Sequence, residues 1–518
     1  MRTLVLLMFL LTSFAGCSAG TSEDTEVPGG SGSGGGNDQL ADIEVEEGKN
    51  LVGKVKYEDG TPAVGVVVSD GYSCTQTDGE GVYQLTRNKN ARNVIISYPA
   101  DCKIEVKENQ IPDFFRAIDN SQTKVLREDF TLTRLEGGVP ESFLFYPIGD
   151  PQIKTRQQMT RFVNEILLDL NDNVSEETLP AFAITLGDVC DWNPEMFEEV
   201  ATVFSNLDIP CFHVIGNHDR DWREADESSD YNYYISTLRS FEKYYTPVNY
   251  SFNYGHAHFV ILDDIQDGPD GYEVDLNDDE IEWLRQDLSY VPKDKLLIVC
   301  AHGPIRNRAS FTKRAALMSL ISQYETRIFS GHTHTNFHLS HNDYGGIQEH
   351  VVGAACGMYW YSSICIDGTP LGYAKYLVEG ATIKNGIYKA GGYDEQMQAR
   401  LYDQTRFTGW NNDPELRQYV YCNVWNSTPE WTVELYEDGE FSAKMERWNG
   451  YDYSINDWIY TIWEPDYQPE PVTTDHQYRV KPKSMNSKKS LKITDSYGQV
   501  FWIDRVTTNY NAYYAPAN

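Results

Sequence analysis

The middle of the chain alternates short apolar runs with segments of helical periodicity. Five continuous apolar runs predict buried strands, over residues 143–146, 182–186, 212–215, 296–299 and 327–329. After the first run, apolar side chains recur on one helix face, at Met159, Phe162, Val163, Ile166, Leu167 and Leu170. A second helical pattern precedes the fourth run, at Ile281, Leu284 and Leu288. Strands that alternate with helices predict a layered α/β domain.

The segments on either side of this alternation predict β structure. Residues 46–135 contain short runs rich in Val, Ile and Tyr, and Asp-Gly and Glu-Gly dipeptides supply turns between them. From about residue 360 onward Tyr, Trp, Val and Thr are dense, and strand–turn–strand units follow one another. The pattern therefore predicts an α/β core flanked by two all-β domains.

The first residues of the chain predict export. A charged start, an apolar run over residues 4–11 and the sequence Ala-Gly-Cys ending at Cys17 are typical of a secretory signal. Ala-Gly-Cys resembles a bacterial lipobox, in which Cys17 would be the lipidated first residue of the mature chain. The Gly/Ser-rich stretch that follows predicts a flexible tether. Simple cleavage, which would release a free secreted protein, is the alternative.

These patterns divide the 518 residues into five segments. We predict a signal peptide over residues 1–16, a tether over 17–45, a β-sandwich domain over 46–135, the α/β core over 140–355 and a C-terminal β domain over 356–518. A chain of this length is sufficient for several domains.

The net charge of the chain limits the kinds of molecule that it can bind. The net charge of −34 argues against stable nucleic-acid binding, which needs a basic surface. An anionic substrate would instead need positive charge supplied locally, for example by metal ions.

Cys74 with Cys102, and Cys356 with Cys365, are the nearest candidate disulfides, although the sequence leaves the pairing open.

A short polar motif follows each of the five apolar runs of the core. The motifs are Asp150-Pro151-Gln152, Gly187-Asp188-Val189-Cys190-Asp191, Gly216-Asn217-His218-Asp219, Ala301-His302 and Gly331-His332-Thr333-His334. Their side chains offer oxygen and imidazole ligands. Polar groups at the ends of apolar strands are where α/β enzymes place their chemistry, so the five motifs predict an active site.

These motifs resemble the pattern of the calcineurin-like metallophosphoesterases, which is D-x-H, G-D-x-x-D, G-N-H-D/E, a lone His and G-H-x-H. The resemblance covers about residues 140–350 and implies a core of two sheets packed between helices. Gln152 stands where the first motif usually has a His, and we expect a weakened ligand there rather than an inactive site. The flanking domains resemble a carboxypeptidase-regulatory-like sandwich and the C-terminal β domain of exported Bacteroides-type members.

The resemblance implies two divalent metal ions as cofactors. Asp188 would bridge them, and a hydroxide between the two ions would attack phosphorus in line. The remaining ligands would be Asp150, Gln152 and His334 at one ion, and Asn217, His302 and His332 at the other. Oxygen and nitrogen ligands without thiolate suit Mn, Fe or Zn, and the sequence does not choose among them. The predicted function is therefore metal-dependent hydrolysis of a phosphate mono- or diester.

His218 directly follows the predicted ligand Asn217 in the sequence but is not itself a predicted ligand. The family pattern implies that it faces the leaving group and donates a proton to it or stabilises its oxygen. Asp219 or Asp191 would hold the imidazole ring and raise its pKa.

Residues beside the motifs are candidates for substrate contact. Arg220 and Arg223 could bind a substrate phosphate, and Trp360, within an aromatic cluster, could stack on a sugar or base. Solvated surface arginines and ordinary aromatic packing are the alternatives. An enzyme anchored by lipid in the cell envelope of a Gram-negative bacterium would meet phosphorylated small molecules, glycans or lipids. Its only membrane contact would be the anchor.

Three other interpretations stay open. Cys300 and Arg306 have the Cys-x5-Arg spacing of tyrosine phosphatases, although Pro304 removes one of the backbone N–H groups that such a loop needs. Two β modules around a degenerate core would make a non-catalytic, glycan-binding surface lipoprotein. The metal ions could also serve a lyase or a hydrolase of another bond.

Overall fold

The computed structural model of the protein describes residues 40–121, 124–402, 416–452, 454–455, 471–504 and 506–507. Cys17, the predicted signal peptide and most of the tether lie outside the described residues, so export and lipidation stay predictions. Within the described part of the chain, no helix is both long and apolar enough to cross a membrane.

The region after the tether consists of two small sheets. Its strands are β1 (Leu51–Tyr57), β2 (Val67–Ser69), β3 (Cys74–Gln76), β4 (Val82–Leu85), β5 (Asn93–Ile96), β6 (Phe115–Ala117), β7 (Leu126–Arg127) and β8 (Phe130–Leu132). In one sheet β1 lies between β4 and β7 and also pairs with β8; the other has the order β3–β2–β5–β6. Val55, Val68 and Phe114 are fully buried in the cluster that joins them.

The core alternates strands and helices, as predicted. Its strands are β9 (Ser142–Ile148), β10 (Ala181–Leu186), β11 (Cys211–Val214), β12 (Tyr250–Tyr254), β13 (Ala257–Ile261), β14 (Ile265–Gly268), β15 (Gly271–Val274), β16 (Leu296–Cys300), β17 (Glu325–Ser330), β18 (Phe337–His341), β19 (Ile347–Val351), β20 (Gly372–Glu379) and β21 (Thr382–Ala390). Its helices are α1 (Arg156–Phe162), α2 (Leu168–Ser175), α3 (Phe197–Ala201), α4 (Asp230–Thr237), α5 (Arg239–Tyr244), α6 (Asp278–Ser289) and α7 (Arg314–Ile321).

The two predicted helices are confirmed, and each begins at a capping box. The Thr155 hydroxyl accepts the Gln158 N–H, and the Gln158 side chain accepts the Thr155 N–H. A π-helical turn at Val163–Leu167 separates α1 from α2 within the same apolar pattern. At α6 the side chains and backbones of Asn277 and Glu280 make the same exchange.

Two mixed sheets form the centre of the core. The first has the order β11–β10–β9–β20–β21 and the second β12–β13–β16–β17–β19–β18. In the first sheet β9, β10 and β11 run parallel, and in the second β13, β16, β17 and β19 run parallel. The strands that precede the five motifs are all among these parallel strands, so their carboxyl ends lie at one edge of each sheet.

The sheets pack face to face through phenylalanine side chains. The Phe259 ring lies 5.3 Å from that of Phe182 and 5.6 Å from that of Phe145, between ring centroids. Burial of each such side chain contributes about 1.5–3 kcal/mol. On the outer faces, α1, α2 and α3 cover the first sheet, and α6 and α7 cover the second. Two sheets between helices is the predicted fold class, which is confirmed.

The C-terminal region adds two further sheets. Its strands are β22 (Ala399–Tyr402), β23 (Val420–Val424), β24 (Thr432–Glu437), β25 (Glu440–Lys444), β26 (Glu446–Tyr451), β27 (Thr473–Val480), β28 (Lys489–Thr494), β29 (Val500–Ile503) and β30 (Val506–Thr507). Their orders are β26–β27–β23–β22–β30 and β25–β24–β28–β29. Because β20 pairs with β9, the core sheet continues past residue 355. The division of the chain into domains stays a prediction.

The cysteines of the described residues are free thiols, including Cys74, Cys102, Cys356 and Cys365. Neither candidate disulfide is therefore formed in the structure. Most of the thiols pack in the core, where cysteine acts as a small apolar side chain.

Candidate metal centre

The turns after five core strands bring the predicted ligands together. Asp150 and Gln152 follow β9, Asp188 follows β10 and Asn217 follows β11. The second sheet contributes the remaining three, His302 after β16 and His332 and His334 after β17. All except His332 are buried, so the half-buried His332 lies where the centre opens toward solvent.

Asp188 lies at the middle of this group. Its Oδ1 accepts the backbone N–H of His218 at 2.8 Å, and its Oδ2 accepts the Gln152 amide at 3.0 Å. The same Oδ2 is 3.3 Å from Nε2 of His302. Burial alone would raise the pKa of Asp188, but the imidazoles of His302 and His218 outweigh it and lower the pKa. Asp188 is therefore a carboxylate.

His302, Asn217 and His332 converge beside Asp188. Nε2 of His302 and Nδ1 of His332 lie 3.1 Å apart, and each is within 3.1 Å of the Asn217 Oδ1. Possible ligand atoms of Asp188, His302 and His332 all lie within 4.8 Å of one another. Nδ1 of His302 is 2.7 Å from the Leu186 carbonyl, to which it must donate. Nε2 is therefore the ring atom that faces the group; burial disfavours the imidazolium, but Asp188 outweighs it and raises the pKa of His302 to about 10.

Asp150, Gln152 and His334 form the adjoining part of the centre. The Asp150 carboxylate accepts the backbone N–H of His332 at 2.9 and 3.0 Å and lies 3.6 Å from Nε2 of His334. Nδ1 of His334 faces the Gly357 carbonyl at 3.3 Å, so Nε2 is the free acceptor. Burial raises the pKa of Asp150 to about 7 and lowers that of His334 to about 4.

Backbone strain is concentrated at this centre. Asp150, Gln152, Asp188, His332 and His334 all have positive φ, of 37°, 39°, 50°, 71° and 52°. Each such conformation costs a non-glycine residue on the order of 1–3 kcal/mol and persists where surrounding structure enforces it. Five of the seven predicted ligands thus have strained backbone, as is typical of functional sites.

Two motif glycines allow the ligand loops to approach closely. A Cβ atom at Gly216 would lie 2.1 Å from Oδ1 of Asp188, and one at Gly187 would lie 2.4 Å from Nδ1 of His302. Gly187 also has φ of 89°. Any larger residue at either position would displace a predicted ligand.

His218 faces the centre from the side of Asp188. Its Nδ1 lies 2.9 Å from Oδ1 of Asp191, and its Nε2 lies 3.8 Å from Oδ2 of Asp188. Burial disfavours the imidazolium, but Asp188 and Asp191 outweigh it and raise the pKa of His218. The Trp192 ring packs on the imidazole at 4.5 Å and is 41% exposed. Of the two residues predicted to hold the ring, Asp191 is therefore the one in contact.

Asp219 has a different position from the one predicted. Its carboxylate accepts the backbone N–H groups of Val189, Cys190 and Gly216, at 2.8 to 3.1 Å. The side chain therefore joins the second and third ligand loops instead of holding His218. Burial raises its pKa to about 7.

Arg220 does not have the position predicted for it, which was beside a substrate phosphate. The side chain is 0% exposed, and its Nη2 donates to Oδ1 of Asp263 at 2.5 Å and to the Ile265 carbonyl at 2.7 Å. It has no open path to a substrate phosphate. The ion pair instead joins the loop after β11 to the end of β13.

We predict that Arg220→Met lowers stability strongly, because it leaves the buried carboxylate of Asp263 without its partner. The expected loss in the free energy of unfolding is about 3–5 kcal/mol. Arg285→Met is the matched control, because both partners of its ion pair with Glu282 are at least half exposed, and its loss should stay below about 1 kcal/mol. Urea unfolding followed by circular dichroism measures both. Equal losses would contradict the structural role of Arg220.

The other two predicted substrate contacts are engaged within the protein. Arg223 donates to both carboxylate oxygens of Asp221, at 2.8 and 2.9 Å. Trp360 is 6% exposed, and its indole N–H donates to the Pro151 carbonyl at 2.9 Å. Trp360 therefore supports the turn between Asp150 and Gln152 rather than lining an open surface, and the prediction that it stacks on a substrate is wrong.

Several residues at the centre belong to no motif, and of these only Tyr359, in the aromatic cluster around Trp360, was a candidate from the sequence. The Tyr272 ring lies 5.9 Å from that of His332, and the Tyr359 ring lies 4.5 Å from that of His334. Asp264 accepts the backbone N–H groups of His302 and Gly303 at 2.9 and 3.0 Å. The positive φ of Tyr359, 50°, is a structural feature that its sequence does not reveal.

The structure disfavours the tyrosine-phosphatase interpretation of Cys300. The thiol is fully buried at the end of β16, and burial raises its pKa. A nucleophilic cysteine needs a thiolate and access to substrate, and Cys300 has neither.

Models of one family match most of the chain. The model for calcineurin-like phosphoesterase matches residues 147–336, that for the N terminal of calcineurin-like phosphoesterase matches 49–135, and that for the C terminal of calcineurin-like phosphoesterase matches 349–501. The chain belongs to the calcineurin-like phosphoesterases. The predicted family and the predicted class of enzyme, a phosphoesterase, are thereby confirmed.

More distant likenesses exist among solved structures. A purple acid phosphatase, PPD1, from yellow lupin (Lupinus luteus) seeds is 15% identical with a TM-score of 0.37, over 51% of this chain and 54% of that one. A 5'-nucleotidase from Candida albicans SC5314 is 14% identical with a TM-score of 0.29, over 45% of this chain and 47% of that one. The chain thus spans about half the length of each. No curated protein matches it.

Proposed function

We propose that the protein hydrolyses phosphate esters, mono- or diesters, at two divalent metal ions held by the seven side chains at the strand ends. The observation that carries this proposal is the convergence of lone-pair donors from both sheets on one point. His302, Asn217 and His332 present such atoms to each other within 3.1 Å. Nitrogen and oxygen atoms this close repel unless a proton or a metal ion lies among them, and three such ligand atoms around one point suit a metal ion.

The residues present fit divalent ions. Nδ1 of His302 donates to a backbone carbonyl, which is how metal-binding imidazoles are usually oriented. Oε1 of Gln152 is buried without a hydrogen-bond partner in the described part of the chain. An unpaired buried oxygen of this kind costs about 1–3 kcal/mol, and a metal ion would remove that cost. The family to which the chain belongs supports divalent ions.

Each ion would have its own ligands, with Asp188 between them. Asp150, Gln152 and His334 would hold one ion, and Asn217, His302 and His332 the other. Bound divalent ions lower the pKa of water and compensate the charge that builds on phosphoryl oxygens. Mn, Fe and Zn all suit these oxygen and nitrogen ligands.

His218 would act on the leaving group. Asp191 contacts its Nδ1 and favours the protonated ring, so that the proton on Nε2 is directed at the centre. Transfer of that proton would neutralise the alkoxide as the ester bond breaks. Trp192 limits the movement of the ring through direct contact. Asp219 would contribute indirectly, because it fixes the loops that carry Asp188 and Asn217.

The proposals for the substrate and for the location of the protein rest on the sequence alone. We propose a phosphorylated small molecule, glycan or lipid as the substrate, met outside the cytoplasm by an enzyme anchored through Cys17 in the envelope of a Gram-negative bacterium. Support for this location comes from the apolar run and the Ala-Gly-Cys sequence at the start of the chain.

Removal of metal tests the proposed reaction directly. The purified chain should contain about two divalent ions, and a chelator should abolish turnover of p-nitrophenyl phosphate or of bis-p-nitrophenyl phosphate. Added Mn²⁺ should restore the activity. Metal analysis by mass spectrometry and the two assays measure this, with a chelator already saturated with zinc as the control.

The outcomes separate the alternatives. Turnover that survives complete removal of metal would overturn the metal-dependent mechanism. Bound metal without turnover of either ester would favour the non-catalytic, glycan-binding interpretation, and Gln152 would then be the first residue to examine. Turnover of only one ester would distinguish monoester from diester preference.

A further inference from the structure

A cavity of about 550 Å³ lies beside the loop that carries two of the proposed ligands. Thr333, between His332 and His334, and Thr335, directly after them, form part of its wall. The wall continues along β18 and includes none of the seven proposed ligands themselves, so the cavity adjoins the ligand-bearing loop and extends away from it. A substrate held at the centre would have room there for the group attached to its phosphate.

The lining of this cavity combines apolar side chains with one uncommitted positive charge. Phe337, Leu339, Ile366 and Val472 supply apolar surface, and Arg306 supplies the charge. A lining that combines apolar surface with a few polar and charged groups is typical of sites that bind small organic ligands.

Arg306 has no carboxylate within ion-pair distance among the residues that the structure describes. Its guanidinium lies 5.2 Å from the centroid of the Phe337 ring and is exposed. Nearby arginines differ in this respect: Arg314 pairs with Asp343, and Arg327 pairs with Glu325.

The carboxylates that line the cavity are already engaged by other partners. Asp367 is buried and accepts the backbone N–H of Asn336 at 2.8 Å. Asp475 pairs with Arg447 at 3.1 Å. Neither carboxylate forms an ion pair with Arg306, so its guanidinium is free to bind an anion.

The backbone beneath Arg306 is held in place. The preceding residue, Ile305, is fully buried, and its N–H donates to the Glu349 carboxylate at 3.1 Å. The Arg306 side chain therefore extends from a fixed backbone position, four residues after His302 in the sequence. A side chain on a fixed backbone loses less freedom when it binds an anion than one on a mobile loop.

We propose that this cavity receives the alcohol part of the substrate and that Arg306 binds an anionic group at its far end. The substrate class would be a phosphate ester whose alcohol has an apolar segment ending in a second phosphate or a carboxylate. This inference deepens the proposed function and rests on it. It also gives Arg306 a role that does not involve Cys300.

A series of substrates of increasing length tests this inference. Alkanediol monophosphates and the corresponding bisphosphates would be assayed with the metal-loaded enzyme. At one chain length the second phosphate should lower KM by roughly 10- to 100-fold, the effect of a charge-assisted hydrogen bond. Arg306→Gln should remove this preference and leave KM for the monophosphates nearly unchanged.

Arg308→Gln is the matched control, because it removes the same charge from the same exposed loop outside the cavity lining. It should keep the length preference. Equal losses in both variants would show a general charge effect and overturn the inference, as would a KM that is independent of the second phosphate at every length.

Binding of alkylene bisphosphonates and alkyl monophosphonates, measured by calorimetry, separates this inference from the proposed function. If no phosphate ester is hydrolysed, the proposed reaction fails. An Arg306-dependent preference for one bisphosphonate length would still support the anion site. Equal affinity for mono- and bisphosphonates would overturn it.

Discussion

Replacement of Asp188 with Asn is expected to remove both metal binding and turnover. Its Oδ2 contacts both halves of the centre, because it lies 3.0 Å from the Gln152 amide and 3.3 Å from Nε2 of His302. No other carboxylate in the described centre has this position. Loss of the charge should lower kcat/KM by at least roughly 10³-fold, about 4 kcal/mol of transition-state stabilisation.

Metal content per chain and kcat/KM on p-nitrophenyl phosphate measure this effect together. Asn retains the size of the side chain and an oxygen that can accept the His218 N–H, so the fold should persist, as thermal unfolding will show. Asp208→Asn makes the same chemical change at an exposed position and should alter neither quantity. Retention of two ions and of activity in Asp188→Asn would refute the bridging assignment.

The general position of the centre could be predicted from the sequence because of a geometric rule. Asp188 and His302 are far apart in the chain, yet each directly follows an apolar run that forms a parallel strand. The carboxyl ends of parallel strands lie at the same edge of a sheet, and two such sheets packed face to face bring their edges together. Motifs at strand ends therefore identify a common site without any contact being known.

The direction of a side chain depends on residues that are distant in sequence, and there the predictions were wrong. Arg220 directly follows His218-Asp219, but Asp263, 43 residues later, draws it into the interior. Trp360 bonds to a carbonyl 209 residues earlier. Proximity to a motif in sequence fixes where a backbone lies, whereas burial depends on which partners the fold supplies.

Tyr272 and Tyr359 show the opposite case, in which the fold brings residues to the centre although they lie outside its sequence motifs. Neither residue belongs to a motif, and each reaches an imidazole of the centre through the fold alone. Strands β20 and β21 are similar, because the sequence pattern predicts the two strands but not that β20 pairs with β9. Local pattern identifies elements, while long-range pairing decides which elements surround a site.

Replacement of His218 with Asn is expected to spare the metal ions and to slow the reaction. The imidazole is not among the proposed ligands, and only its backbone N–H bonds to Asp188, an interaction that any residue retains. Loss of a general acid should lower turnover by about 10²–10⁴-fold. Asn can still donate to Asp191, so the loop should keep its conformation.

The choice of leaving group makes this prediction specific. An alkyl phosphate has a poor leaving group and needs the proton, whereas p-nitrophenolate leaves readily without it, so His218→Asn should slow the alkyl ester far more. Asp191→Asn, which removes the group that orients the ring, should show the same trend with a smaller loss. A variant that lost metal, or slowed both esters equally, would show that His218 acts through the metal centre and not as the acid.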